Sequence, residues 1–123
     1  MEVIIYTHID NAQKDELVKK ISQEIEPGPV MVFNFESLFK MLKTRVSGRF
    51  VIVFIISCDD ELEVLIKKKS HLFNTPFVLV LTENDESMAQ KGLSLQPRYL
   101  SYPGYDHDNI AKVLNKMRGK YGK

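Results

Sequence analysis

At 123 residues the chain fits one domain, long enough to bury a real core. Its 17 basic and 16 acidic side chains leave a formal charge of +1, which excludes the basic footprint of a nucleic-acid or anionic-membrane binder. A single cysteine forms no internal disulfide, and no apolar run is long enough to span a bilayer, so a cytoplasmic setting is expected. The opening MEVIIYTHID has no basic n-region and too short an apolar run for a signal peptide. There is no internal repeat, low-complexity tract or linker, so a single domain over 1–123 is expected.

Apolar runs and helical periods alternate along the chain. The first strand is VIIY, Val3 to Tyr6. Asp10 then takes the N-cap position of a helix, with Gln13 in the capping-box position. Leu17, Val18, Ile21 and Ile25 follow at one-face helical spacing, and Pro27-Gly28-Pro29 stops that helix. VMVF, Val30 to Phe33, is the second strand. Leu38, Phe39, Met41 and Leu42 mark a short second helix. Ser47-Gly48 turns into the third strand, Phe50 to Ile56. These seven apolar residues in a row predict a strand buried on both faces. Asp60 is the expected cap of the third helix, with Glu63 three residues on and Leu62, Leu65 and Ile66 facing inward. PFVLVLT, Pro76 to Thr82, is the fourth strand. Met88 and Ala89 begin a weak fourth helix that Gly92 is expected to end. RYLSY, Arg98 to Tyr102, is the fifth strand, closed by Pro103-Gly104. Ile110, Val113, Leu114, Met117 and Tyr121 make a final amphipathic helix.

The pattern is (βα) five times over. Crossovers between parallel strands are right-handed, and helices must cover both faces. The compact solution is an α/β fold, a doubly wound, flavodoxin-like parallel sheet of five strands, most often ordered 2-1-3-4-5. Such a sheet gathers the loops after strands one, three, four and five on one edge. Those loops carry His8 and Asp10, Ser57 to Asp60, Thr82 to Asp85, and Tyr102 to Asp106.

The stretch TPFVLVLTENDESMAQKGLSLQPRYLSYPG resembles the second half of a response-regulator receiver domain. A proline opens the fourth strand and Thr82 closes it. MAQKG stands where receivers carry a helix ending in glycine. YLSYP stands where receivers usually have an aromatic, two residues, a lysine and a proline. The resemblance covers the chain in element order and is specific from about Pro76 to Pro103. It implies a signalling role. Receivers take a phosphoryl group onto an aspartate at the end of strand three, with two acids after strand one holding Mg²⁺ and a lysine after strand five pairing with the phosphoryl oxygens. The carboxylate is the nucleophile, and the cation and the ammonium offset the phosphoryl charge.

This chain departs from that pattern at its centre. The acceptor position falls on Phe54 by strand matching, or on Val53 counting back from the next helix. The acidic pair falls on Tyr6 and Thr7, or on Ile9 and Asp10, which recovers one acid at best. The lysine position is Tyr102. Too few hard oxygen ligands remain for Mg²⁺. Thr82 after strand four and the aromatic Tyr99 on strand five survive, and in typical receivers these form the switch pair. The resemblance also implies that Tyr102-Pro103 is cis, with the phenol turned toward Thr82 and Phe54 as a plug.

Other chemistry is thin. A displaced acceptor at Asp59 needs a rebuilt strand-end loop. Cys58, at a helix N-terminus, sits where a thiol pKa can fall, but a lone cysteine with no resolving partner is expected to be a small, inert, buried hydrophobe. His71 and His107 have no zinc-ligand spacing. Lys67 to Ser70 is a basic run at a helix end, expected to be a solvated face. No glycine-rich phosphate loop is present, and no metal or cofactor is implied.

Two function classes follow. The first is an atypical receiver that binds a protein partner or a second copy of itself without aspartyl phosphorylation. The contact surface would be the helix 4–strand 5–helix 5 face with Leu100, Tyr102 and Tyr105, unless Leu100 and Tyr102 face the core. The second is a small enzyme or ligand binder using His8, Cys58, Asp59 and Tyr102 on the strand-end edge.

Overall fold

The computed structural model describes residues 2–8, 12–24, 28–44, 50–72, 75–83, 85–101 and 107–121. In chain order they form β1 (Glu2–Thr7), α1 (Ala12–Glu24), β2 (Val30–Val32), α2 (Phe35–Lys43), β3 (Phe50–Ile56), α3 (Asp59–Lys67), a 3₁₀ turn (Lys69–Leu72), β4 (Phe77–Leu81), α4 (Glu86–Ser94), β5 (Tyr99–Ser101) and α5 (His107–Tyr121). The sheet has five parallel strands in the order β2-β1-β3-β4-β5, as the alternating pattern implied.

Strand alternation sorts the core into two layers. Ile4, Tyr6, Ile52, Phe54, Ile56, Leu79 and Leu81 meet Leu38 of α2, Leu62 and Leu65 of α3, and Met88 of α4. On the other face Val3, Ile5, Val51, Val53, Ile55 and Val78 meet Leu17 and Ile21 of α1 and Ile110, Leu114 and Met117 of α5. All seven residues of β3 are buried. Each such aliphatic or aromatic side chain contributes about 1.5–3 kcal/mol when taken from water.

Helix ends differ from the sequence reading in three places. α2 starts at an N-cap not anticipated, Asn34, whose Oδ1 accepts from Ser37 N at 2.8 Å. α3 is capped by Cys58, not Asp60; Asp60 lies inside the first turn, where its charge still faces the positive end of the helix dipole. Gly92 does not end α4. The helix runs on to Ser94, and Gly92 is buried inside it because it is the point of close approach to β4. A Cβ built there would lie 2.8 Å from Leu79 Cδ2. Termination falls instead to Gln96, in the left-handed region at φ 58°, followed by Pro97. The Gln96 amide donates to Leu93 O at 3.0 Å, and the proline cannot continue the helix.

Asp10, Ile25, Pro27, Tyr102, Pro103 and Tyr105 lie outside the described residues, as do the side chains of Gln13, His107 and Tyr121. The expected cap at Asp10, the expected cis bond at Tyr102-Pro103 and the outer-face roles of Tyr102 and Tyr105 fall there.

Candidate functional site

The carboxyl ends of β1 and β3 meet the first turn of α3. Register sets Tyr6 beside Phe54 and Thr7 beside Ile55. All four side chains are buried. Of the positions that strand matching compares with the receiver site, Tyr6, Thr7 and Phe54 thus lie buried at the strand ends, as does Val53 of the other count; Ile9 and Asp10 lie outside the described residues. Tyr6 stacks on Phe35 with centroids 4.3 Å apart and planes 10° from parallel. Phe54 tilts against Tyr6 at 6.0 Å and meets Phe77 edge-on at 5.6 Å. Such pairs add about 0.5–1.5 kcal/mol each beyond area burial.

A carboxylate does occupy this edge, but it comes from α3. Glu61 is only 6% exposed. Its Oε2 accepts from the Tyr6 hydroxyl at 2.8 Å. Its Oε1 accepts from Ser57 N at 3.1 Å, from Ser57 Oγ at 3.0 Å and from Cys58 Sγ at 3.6 Å. With Cys58 as cap, Glu61 is the third residue of the helix. From there a glutamate can reach back over the helix start, and it does so to Ser57 where the Cys58 side chain gives no cap bond. These donors offset the cost of burying the charge. Burial raises the Tyr6 pKa well above its ordinary value, and the bond to Glu61 and the Glu61 charge raise it further. The phenol is a proton holder and hydrogen-bond donor here, not an acid that titrates near neutrality.

Glu61 was missed in the sequence reading. The available signal was its spacing: one turn before Leu65 and next to Leu62, it falls on the buried stripe of α3. Cys58, expected to be buried, is exposed. His8 sits on the same edge and contacts Phe33 O at 3.5 Å, on the β2 side, while Cys58 turns to Glu61.

Asp59 points the other way. It takes Lys91 Nζ at 2.7 and 2.8 Å, and the same ammonium reaches Glu63 Oε1 at 2.7 Å. The hydrogen bonds to Asp59 and then Glu63 raise the Lys91 pKa above its ordinary value. This ion triad ties α4 to α3. Lys69 adds a second tie, donating to Ser94 O at 3.2 Å.

Thr82 closes the end of β4 onto β3, giving both its amide (3.0 Å) and its hydroxyl (3.3 Å) to Ile56 O. Tyr99 pairs in register with Val78, four residues before Thr82, and is half-buried on the α1–α5 face. Leu100, the next residue, alternates to the other face and packs half-buried beneath α4, near Gly92. The large apolar side chain α4 presents outward is Leu93, 58% exposed. Among the described residues, no group of three or more His, Cys, Asp or Glu is placed to hold a metal ion, and no helix is long and apolar enough to cross a membrane.

No protein-family model and no curated protein matches the chain. Solved structures do. A Burkholderia pseudomallei protein described as related to pilus assembly superposes with a TM-score of 0.71 at 9% identity, over 97% of this chain and 90% of that one. A response regulator from Thermotoga maritima gives 0.68 at 8% identity, over 97% and 98%. The phosphorylated cyanobacterial phytochrome response regulator RcpA gives 0.58 at 13% identity, over 98% and 93%. With the strand order and the alternating helices, these matches show a receiver-like α/β fold.

Proposed function

We propose that this domain is a signalling module, an atypical receiver that acts by contact with a protein partner or a second copy, without aspartyl phosphorylation and without enzymatic activity. The observation that carries this is the closed end of β3. Phe54, the acceptor position by strand matching, and Val53, the acceptor position by the other count, are both fully buried, and the buried Tyr6–Glu61 hydrogen bond lies beside Phe54. A phosphoryl group needs a nucleophilic carboxylate, and neither Phe54 nor Val53 of the alternative count supplies one. Thr82 and Tyr99 stand at the switch-pair positions, with Thr82 tied to Ile56 O. Lys91 holds α4 against α3, and Lys69 ties the 3₁₀ turn to the end of α4, next to the α4–β5–α5 face proposed for contact. The likeness in fold to two response regulators supports the signalling role. A cytoplasmic location goes with this reading.

The test is intact-mass analysis after incubation with acetyl phosphate and Mg²⁺. No phosphoryl adduct is expected. One adduct mapped to Asp59 or Asp60 would overturn the reading.

A further inference from the structure

We propose that the sheet edge opposite the Tyr6–Glu61 site carries a binding site for a small organic carboxylate with a compact apolar body. A cavity of about 380 Å³ opens there, between the 3₁₀ turn, the start of β4 and the end of α4. That volume lies at the lower end of the range for small-ligand sites, roughly 300–1,000 Å³. Leu72, Phe77 and Leu95, all buried, supply apolar walls. Lys69 supplies positive charge at the rim, where the neighbouring Arg98 is engaged in an interaction of its own, and no acidic side chain is among the described lining residues. Lys69 is held in place by its bond to Ser94 O. An ammonium has three N–H donors, so this bond leaves others for a ligand.

The backbone decides which anion fits. Sites for phosphate present a cradle of N–H groups. Here the amides of Thr75, Leu95, Gln96 and Arg98 donate to Leu72 O, Gly92 O, Leu93 O and Phe77 O. Pro76 has no N–H to offer. What remains at the mouth is an ammonium, the Thr75 hydroxyl and the Gln96 side chain. That set suits one carboxylate, not a phosphoryl dianion. This site is independent of the proposed lack of phosphorylation.

The test is amide chemical-shift titration of the intact domain with 3-phenylpropionate, its neutral amide and inorganic phosphate. Saturable shifts at Leu72, Thr75, Phe77 and Gln96 are expected with the acid, at a Kd on the order of 1 mM for a ligand of that size. The neutral amide should bind about threefold more weakly, as for loss of an exposed ion pair. Lys69→Met should bring the acid down to the level of the amide, whereas Lys69→Arg should keep the difference. Absence of saturable shifts, or equal binding of acid and amide, would overturn the proposal. Phosphate binding at these residues would overturn the carboxylate assignment.

Discussion

The Tyr6 hydroxyl donates to Glu61 Oε2 at 2.8 Å, joining the end of β1 to the first turn of α3 across 55 residues of chain. Both groups are buried, and each is the other's means of tolerating burial.

Removing the hydroxyl should therefore cost more than an average hydrogen bond. Tyr6→Phe keeps the ring stack on Phe35 but withdraws a donor from a buried carboxylate. A loss of about 1–3 kcal/mol is expected in urea denaturation. Adding Glu61→Gln to Tyr6→Phe should cost less than the sum of the single changes, because the two residues share the interaction.

The same pair sets an alkaline limit. The Tyr6 pKa is raised in the folded state above the ordinary value of 10.0. Between pH 10 and the raised value the unfolded chain binds fewer protons than the folded one, so stability falls as pH rises. The contribution is complete below pH 10 and is lost progressively above it, by up to about 1.4 kcal/mol per pH unit for one proton. The slope of stability between pH 10 and 11.5 should be shallower in Tyr6→Phe than in the native protein.

Lys91 stands between Asp59 and Glu63. Lys91→Met leaves those two acids facing α4 without a cation. The thermal midpoint should fall at low salt, and most of the difference should vanish in 1 M NaCl, where the screening length is about 3 Å. A salt-independent loss would show that the lysine acts through packing of its stem.

Gly92 sets the distance between α4 and the sheet. Replacing it with alanine gains about 1 kcal/mol of helix propensity. The added methyl meets Leu79, which is fully buried and hemmed in. Overpacking of this kind costs roughly 1–3 kcal/mol, so Gly92→Ala should be net destabilising by about 1 kcal/mol in chemical denaturation.

Gln96 is the opposite case. It holds a positive φ that a side chain disfavours by roughly 1–2 kcal/mol. Gln96→Gly should stabilise the domain by about 0.5–1 kcal/mol after the greater chain entropy of glycine is subtracted, measured as a rise in the urea midpoint.

Much of the fold was legible in the residues alone. β3 was recognisable because a strand covered on both faces must be apolar at every position, and Phe50 to Ile56 is. Leu17, Ile21, Leu62, Leu65, Ile110 and Leu114 declared their helices because each needs one apolar stripe. That no carboxylate stands at the end of β3 was also legible, since Phe54 and Val53, the two positions that compare with the receiver acceptor, are both apolar. The rest depended on the tertiary structure. Cap identity turns on backbone angles, so Cys58 rather than Asp60 begins α3. Gly92 carries the same letter whether it stops a helix or lets one approach a strand; only the position of Leu79 decides. Glu61 looked like one more charge in an acidic run until β1 placed a phenol beside it, and Lys91 met Asp59 only when α3 and α4 were laid side by side. Hydrophobic periodicity is a local property of the chain, written within a few turns or strand repeats. Polar partnership across 32 or 55 residues is a property of the packed molecule, set by the positions of whole elements.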